Sequence, residues 1–196
     1  MNTVESQPYV LRTVRLGLRR FVAGDAAALL DLFADPYAAR FYPAMNDPLR
    51  IRKWIDWNLR NYEEHGFGLW AVERLSDGHF IGDAGLTMQT IEGVSRHEIG
   101  YHIHRDDRGF GYATEAARAC LDFAFEHVGA GFVCSVVHPE NAASAKVADR
   151  VHASMREFEW HSGPMRLYST SEAQRGAKLS GSTGPQAPRG ADEATG

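Results

Sequence analysis

Arg108-Gly109-Phe110-Gly111-Tyr112-Ala113 is the segment whose residue types and spacing most clearly suit chemistry. It follows an alternating stretch and opens an amphipathic one. At a helix start the first backbone N–H groups lack intrahelical acceptors and the dipole is positive, so an anion binds there. Glycine at 109 and 111 lets the main chain approach phosphate oxygens, and Arg108 adds a charged donor. Ala113 keeps the first turn narrow. Taken alone, the hexapeptide also reads as a tight turn and a helix start. It is no Walker loop, because Tyr112-Ala113 replaces Lys-Ser/Thr after Gly111. It is no dinucleotide fingerprint, because Glu115 stands where the third glycine belongs and antiparallel strands precede the loop.

The remaining reactive side chains say less. Cys120 and Cys134 lie in apolar stretches and read as reduced core residues. His102 and His104 share a strand face, but no third ligand is identifiable and no metal is expected.

The elements around the loop follow from periodicity. Val14 to Phe21 alternates like a strand, with Leu16 and Leu18 against Arg15 and Arg19. Asp25 to Phe33 has helical spacing. Asp47-Pro48 supplies an N-cap and first-turn proline for a second helix carrying Ile51, Trp54, Ile55 and Leu59. Leu69–Arg74 and Phe80–Met88 read as strands joined at Ser76-Asp77-Gly78, and Glu98–Ile103 as a fourth strand. Tyr112 to Val128 carries one apolar stripe from Ala113 to Val128, with Arg118, Asp122 and Glu126 opposite. Phe132–Val137 is a continuous apolar run, as a strand covered on both faces requires. Asn141–Val151 reads as a helix, and Met155–Trp160 with Met165–Tyr168 as a closing hairpin. This order predicts an α+β sheet of six to seven strands with helices on both faces.

The chain has 196 residues, net charge −4 and 44% hydrophobic residues, which suits one packed domain. No basic stripe favours nucleic acid. No run of 18 apolar residues favours a membrane span, and the polar start lacks a secretory core, so the cytoplasm is expected. The folded domain is expected over 10–170. Residues 171–196, rich in Gly, Ser, Ala and Pro, read as a disordered tail.

Arg108-x-x-Gly111-x-Ala113 between strand and helix resembles the acetyl-CoA loop of the GNAT superfamily of N-acetyltransferases. TVRLGLRR (13–20), GLWAVE (68–73), FIGDAGL (80–86), EIGYHI (98–103), RGFGYATEAARACLDFAF (108–125) and Pro139-Glu140-Asn141-x-x-Ser144 resemble its RimJ/RimL branch. The resemblance covers about 10–170. It implies a mixed, largely antiparallel sheet splayed between strands 4 and 5, counted from Val14. It implies transfer of acetyl from acetyl-CoA to a primary amine, either a protein N-terminus or a small molecule, in a ternary complex without metal. The acceptor's identity is not legible, and the protein is expected as a monomer or homodimer.

Further roles follow from the same resemblance. Main-chain groups of Tyr101, His102 and Ile103 would meet the pantetheine arm. Arg108, Gly109, Phe110, Gly111, Tyr112 and Ala113 would take the pyrophosphate. Asn141 would bond the arm or a water, or cap a helix, or do both. The attacking amine must lose a proton. Glu98 is the first candidate for the base and His102 the second, on one strand face by alternation. Glu98 also reads as a structural carboxylate paired with a basic residue on an adjacent strand. Ala148 stands where many family members carry a tyrosine acid, so Ser144 inherits protonation of the thiolate, or is an ordinary helix hydroxyl. His152 replaces a usual glycine and leaves that turn's geometry open. Trp54, Trp57, Tyr62, Phe67 and Trp70 are candidates for the acceptor wall, or for the core. A non-catalytic acyl-CoA-binding module on the same fold is the alternative reading, and a nucleotide-binding regulator a third.

Overall fold

The computed structural model describes residues 9–160 and 163–175. Its eight-stranded sheet has the order β1-β2-β3-β4-β5-β6-β8-β7. The strands are β1 (Tyr9–Arg12), β2 (Leu16–Arg19), β3 (Leu69–Arg74), β4 (His79–Ile91), β5 (Val94–Ile103), β6 (Phe132–Val137), β7 (Ser154–Trp160) and β8 (Gly163–Ser171). The helices that matter here are α1 (Ala26–Ala34), α2 (Pro36–Phe41), α3 (Pro48–His65), α4 (Tyr112–Glu126) and α5 (Ala142–Val151). The α+β class stands, with one strand more than the upper count expected. The segment from Val14 is not one strand from its start. Thr13 bonds back to Leu16, and the chain pairs with itself as β1 and β2. The tail expected from 171 begins inside the last strand, and 176–196 lie outside the described residues.

Alternation along β3 divides the core. Trp70 and Val72 face α4 with Leu16, Leu18 and Ile99, whereas Leu69 and Ala71 face α1 and α3 with Phe21, Leu29, Phe33 and Ile55. Helix α3 starts where Asp47 accepts a bond from the Leu49 amide at 2.9 Å, with Pro48 in the first turn, and stops at Gly66 (φ 79°). The stripe of α4 is small because it lies against the sheet: Ala116, Ala117, Cys120 and Ala124 are fully buried. Closeness also explains Gly85, where an added Cβ would sit 2.1 Å from the Gly68 carbonyl oxygen. Gly85→Ala is expected to cost at least ~2 kcal/mol by forcing β3 and β4 apart, read as a lower urea midpoint at unchanged slope.

β4 and β5 form one long hairpin turning at Glu92 (φ 50°) and Gly93 (φ 78°). Two successive left-handed residues match the strand twist. The hairpin sets Asp83 opposite His102 and Thr87 opposite Glu98. Among the described residues β5 and β6 make the one parallel pairing, and it lasts only for His97 with Val133 and Glu98 with Cys134. Beyond it, the Ser135 hydroxyl donates to the Ile99 carbonyl at 2.9 Å, and the strands part. This is the expected splay, between the fifth and sixth strands once β1 is counted.

Candidate active site

The end of β5, α2, the start of α4 and α5 line a cavity of about 430 Å3. Tyr101, His102, Arg108, Gly111, Asn141 and Ser144 all line it. These six are gathered in one place although they span 44 positions of chain, whereas Glu98 and Phe110 do not line the cavity.

At one end lies the glycine loop. Gly109 (φ 88°) and Gly111 (φ 83°) are left-handed, and Gly111 caps α4 without a side chain. A Cβ at 109 would meet nothing, and one at 111 only the Arg15 guanidinium at 3.6 Å. The glycines answer the backbone's φ and leave open space above it. No acceptor among the described residues takes the N–H groups of 109 to 114. Alternating left-handed and helical residues turn such amides inward as an anion nest. Arg15 steadies the loop, donating to the Phe110 carbonyl at 2.9 Å and pairing with Glu115. Burial alone would raise the Glu115 carboxyl. Bonds from Thr13 and Arg15 prevail and hold it below its usual value. Phe110 is 60% exposed, whereas Tyr112 is buried.

Arg108 is already engaged. Its guanidinium donates to the Ile103 carbonyl at 2.9 Å and pairs with Asp35 at 2.8 Å. Burial alone would raise the Asp35 carboxyl, but bonds from Arg108 and the Ala38 amide outweigh it and keep it low. Asp35 also caps α2, so the loop and α2 are fastened together. Across the cavity α2 reaches the turn before α5. The Tyr37 hydroxyl donates to Asn141 Oδ1 at 2.9 Å, and Arg40 pairs with Glu140 at 2.7 Å.

Asn141 caps α5, accepting from the Ser144 amide at 3.1 Å. Asn141→Ala is expected to cost about 1 kcal/mol in urea unfolding through loss of the cap, with no change in slope. The Ser144 hydroxyl donates to the Tyr101 hydroxyl at 3.1 Å, which in turn donates to the Ser144 carbonyl at 2.9 Å. Burial pushes the Tyr101 phenol up to about 12, so it stays protonated.

On the opposite sheet face, Glu98 sits in the throat of the splay. Its carboxylate accepts from the Val136 amide at 3.2 Å, replacing the strand partner that β6 has lost. Thr87 donates to it at 3.5 Å. Among the described residues no basic side chain pairs with it. Burial pushes the carboxyl up to about 7, against only modest lowering by these bonds. His102 shares that face. Its Nδ1 lies 2.6 Å from Oδ1 of Asp83, a fully buried carboxylate that the sequence reading did not single out.

One expectation, the shared strand face of His102 and His104, needs correction, and two open readings find an answer. Tyr62, Phe67 and Trp70 are core residues, and Trp54 and Trp57 are partly buried against each other with ring centroids 5.2 Å apart. The aromatic wall of the cavity is instead Phe33, Tyr37, Phe41 and Tyr42. His104 lies just past β5 and pairs with Asp31, away from His102's carboxylate partner. His152 needs no glycine: its φ is −87°, and its buried ring bonds Ser135 and Thr170. Cys120 and Cys134 are free and buried, which raises both thiols.

Residues 15–154 match the model of the GNAT acetyltransferase domain. The chain belongs to the GNAT acetyltransferase family. Bacillus subtilis YkkB is 38% identical over 161 residues, 81% of this chain and 93% of YkkB. The crystal structure of an Agrobacterium tumefaciens acetyltransferase superposes with a TM-score of 0.73 at 29% identity, covering 88% of this chain and 99% of that one. Mycobacterium smegmatis RimJ, solved in complex with a CoA disulfide, shares the fold at a TM-score of 0.60 and 22% identity, covering 81% and 83%. The mixed eight-stranded sheet with helices on both faces is thus the GNAT fold. No helix among the described residues is long and apolar enough to cross a membrane.

Proposed function

We propose that this protein transfers acetyl from acetyl-CoA to a primary amine, as the RimJ/RimL branch does. One observation carries the reading: a nest of unpaired amides at the start of α4 opens into the same cavity that the end of β5, beyond its pairing with β6, borders. The amides of Gly109 to Ala113 hold the pyrophosphate of the thioester carrier. Main-chain groups of Tyr101 to Ile103, left without a β6 partner, hold the pantetheine arm. Glu98 removes a proton from the reacting nitrogen. Its carboxyl near 7 is half ionised at neutral pH, which suits a base better than the ordinary carboxylate value does. Ser144 donates toward the leaving thiolate, with Tyr101 in place of the tyrosine that Ala148 lacks. A main-chain amide beside the splay takes the oxyanion.

RimJ, which shares the fold, is bound to a CoA disulfide, which supports the carrier. The test is release of free thiol from acetyl-CoA across primary amines, amino-acid amides and peptides with free N-termini. Thiol release that depends on an amine and yields the acetamide is the expected result. Tight binding of acetyl-CoA with no acceptor turned over would favour the non-catalytic module instead.

A further inference from the structure

The nitrogen of an acceptor that arrives as an ammonium loses two protons before it becomes an amide. Glu98 accounts for one. The same face of β5 carries a second acceptor two side chains along.

Asp83 on β4 lies opposite His102 in the hairpin register, and its Oδ1 contacts His102 Nδ1 at 2.6 Å. Asp83 is 0% exposed, and its Oδ2 has no hydrogen-bond partner among the described residues. Burying a carboxylate half satisfied lowers stability, so a purely structural pair would gain from an apolar replacement. The contact has a chemical consequence. A carboxylate accepts, so Nδ1 is the donor of this contact and Nε2 is the ring nitrogen left for another partner. The ring is held edge to face by Phe33 and Tyr42, with centroids at 5.0 and 4.7 Å. His102 lines the cavity, and the side chain remains 13% exposed. An imidazole oriented through Nδ1, with Nε2 not engaged by Asp83 and the ring lining an aromatic-walled cavity, is an arrangement for exchanging a proton with a cation seated among rings.

We propose that Asp83 and His102 form a second proton-accepting unit of this site, with His102 the base toward the incoming ammonium and Asp83 its positioning residue. The proposal rests on the amine-acetylation reading. His102 Nε2 takes the first proton, leaving a neutral amine. The amine nitrogen bonds to the acetyl carbon, Glu98 takes the second proton, and the carbon–sulfur bond breaks. One proton ends on the thiol sulfur and the other passes from His102 to water. The titratable groups facing His102 are Asp83 on β4, Glu98 on its own strand and Tyr42 after α2. The Asp31–His104 pair from α1 lies beyond them.

The experiment compares wild type, His102→Gln, Asp83→Asn and the double variant, using acetyl-CoA with a fixed panel of primary alkylamines. At pH 7 each single variant is expected to lower kcat/KM for the amine about 100-fold, with KM for acetyl-CoA unchanged. The double variant should fall no further than His102→Gln, because the two residues act as one unit. Near pH 9.5, where solvent removes the amine's proton, the deficit should shrink to about 5-fold or less. A deficit equal at both pH values, or variants within about 3-fold of wild type at pH 7, overturns the proposal. Imidazole nitrogen spectra give a reading independent of turnover and of the variants' folding. His102 should show the Nδ1–H tautomer in wild type, and Nε2–H there overturns the proposal. A wild type that acetylates no amine sinks the amine reading and this proposal together. An active wild type with unaffected variants sinks this proposal alone.

Discussion

Gly111→Trp should abolish calorimetric binding of acetyl-CoA, weakening Kd at least ~100-fold, a loss of roughly 3 kcal/mol or more. Gly111 has φ 83° and begins α4, and the space above it is bounded only by the Arg15 guanidinium. An indole there fills the room needed by a diphosphate and covers the amides that would bind it. A non-glycine residue at this φ also strains the backbone by about 1–2 kcal/mol, which could itself loosen the loop. Gly78→Trp separates the two effects. Gly78 has φ 70°, its Cβ would meet nothing, and it sits in the β3–β4 turn rather than in the cavity lining. Both variants carry the backbone strain, and only Gly111→Trp should lose the ligand. Equal weakening in both, or full affinity in Gly111→Trp, removes the glycine loop from the binding site. The acetyl-CoA reading would then lose its main support.

The loop was legible because its signal is local: glycines at positive φ, then an amphipathic stripe whose small residues announce close packing. Helix α3 was legible for the same reason, from Asp47-Pro48 to Gly66. Helix α2 carries a like signature at Asp35-Pro36, but six residues show no periodicity, so the cavity's aromatic wall went unseen. Asp83 was hidden differently. Its meaning depends on a partner 19 residues away, fixed only by the turn at Glu92-Gly93. With the strands ended at Met88 and begun at Glu98, that turn was lost and the register with it. Once the turn is placed, paired positions sum to 185, and Asp83 must face His102. Glu98 was found by its strand. Its environment was not, because the amide it satisfies lies on β6, which pairs with β5 for only two positions.

Glu98→Gln should lower kcat/KM about 100- to 1,000-fold and change the pH profile, by removing a base whose carboxyl is pushed up to about 7. Only the ionised form accepts a proton, so wild-type kcat/KM should fall at least tenfold per pH unit below about 7 and level off above it. A carboxyl at the ordinary 4.5 would itself contribute no fall above about pH 5.5. The same shift acts on folding with opposite sense. Between 4.5 and about 7 the folded protein binds this proton more tightly than the unfolded chain does. The resulting stabilisation is complete below the unfolded value and is lost as pH rises through 7, by roughly 3 kcal/mol in all. Glutamine does not ionise, so the variant should lose less stability than wild type between pH 5 and pH 8, as read by urea unfolding. A carboxylate that only satisfies the Val136 amide would show this stability difference while kcat/KM stayed within a few-fold. A base would show both, and a wild-type profile flat from pH 5.5 to 8 would remove Glu98 from the chemistry.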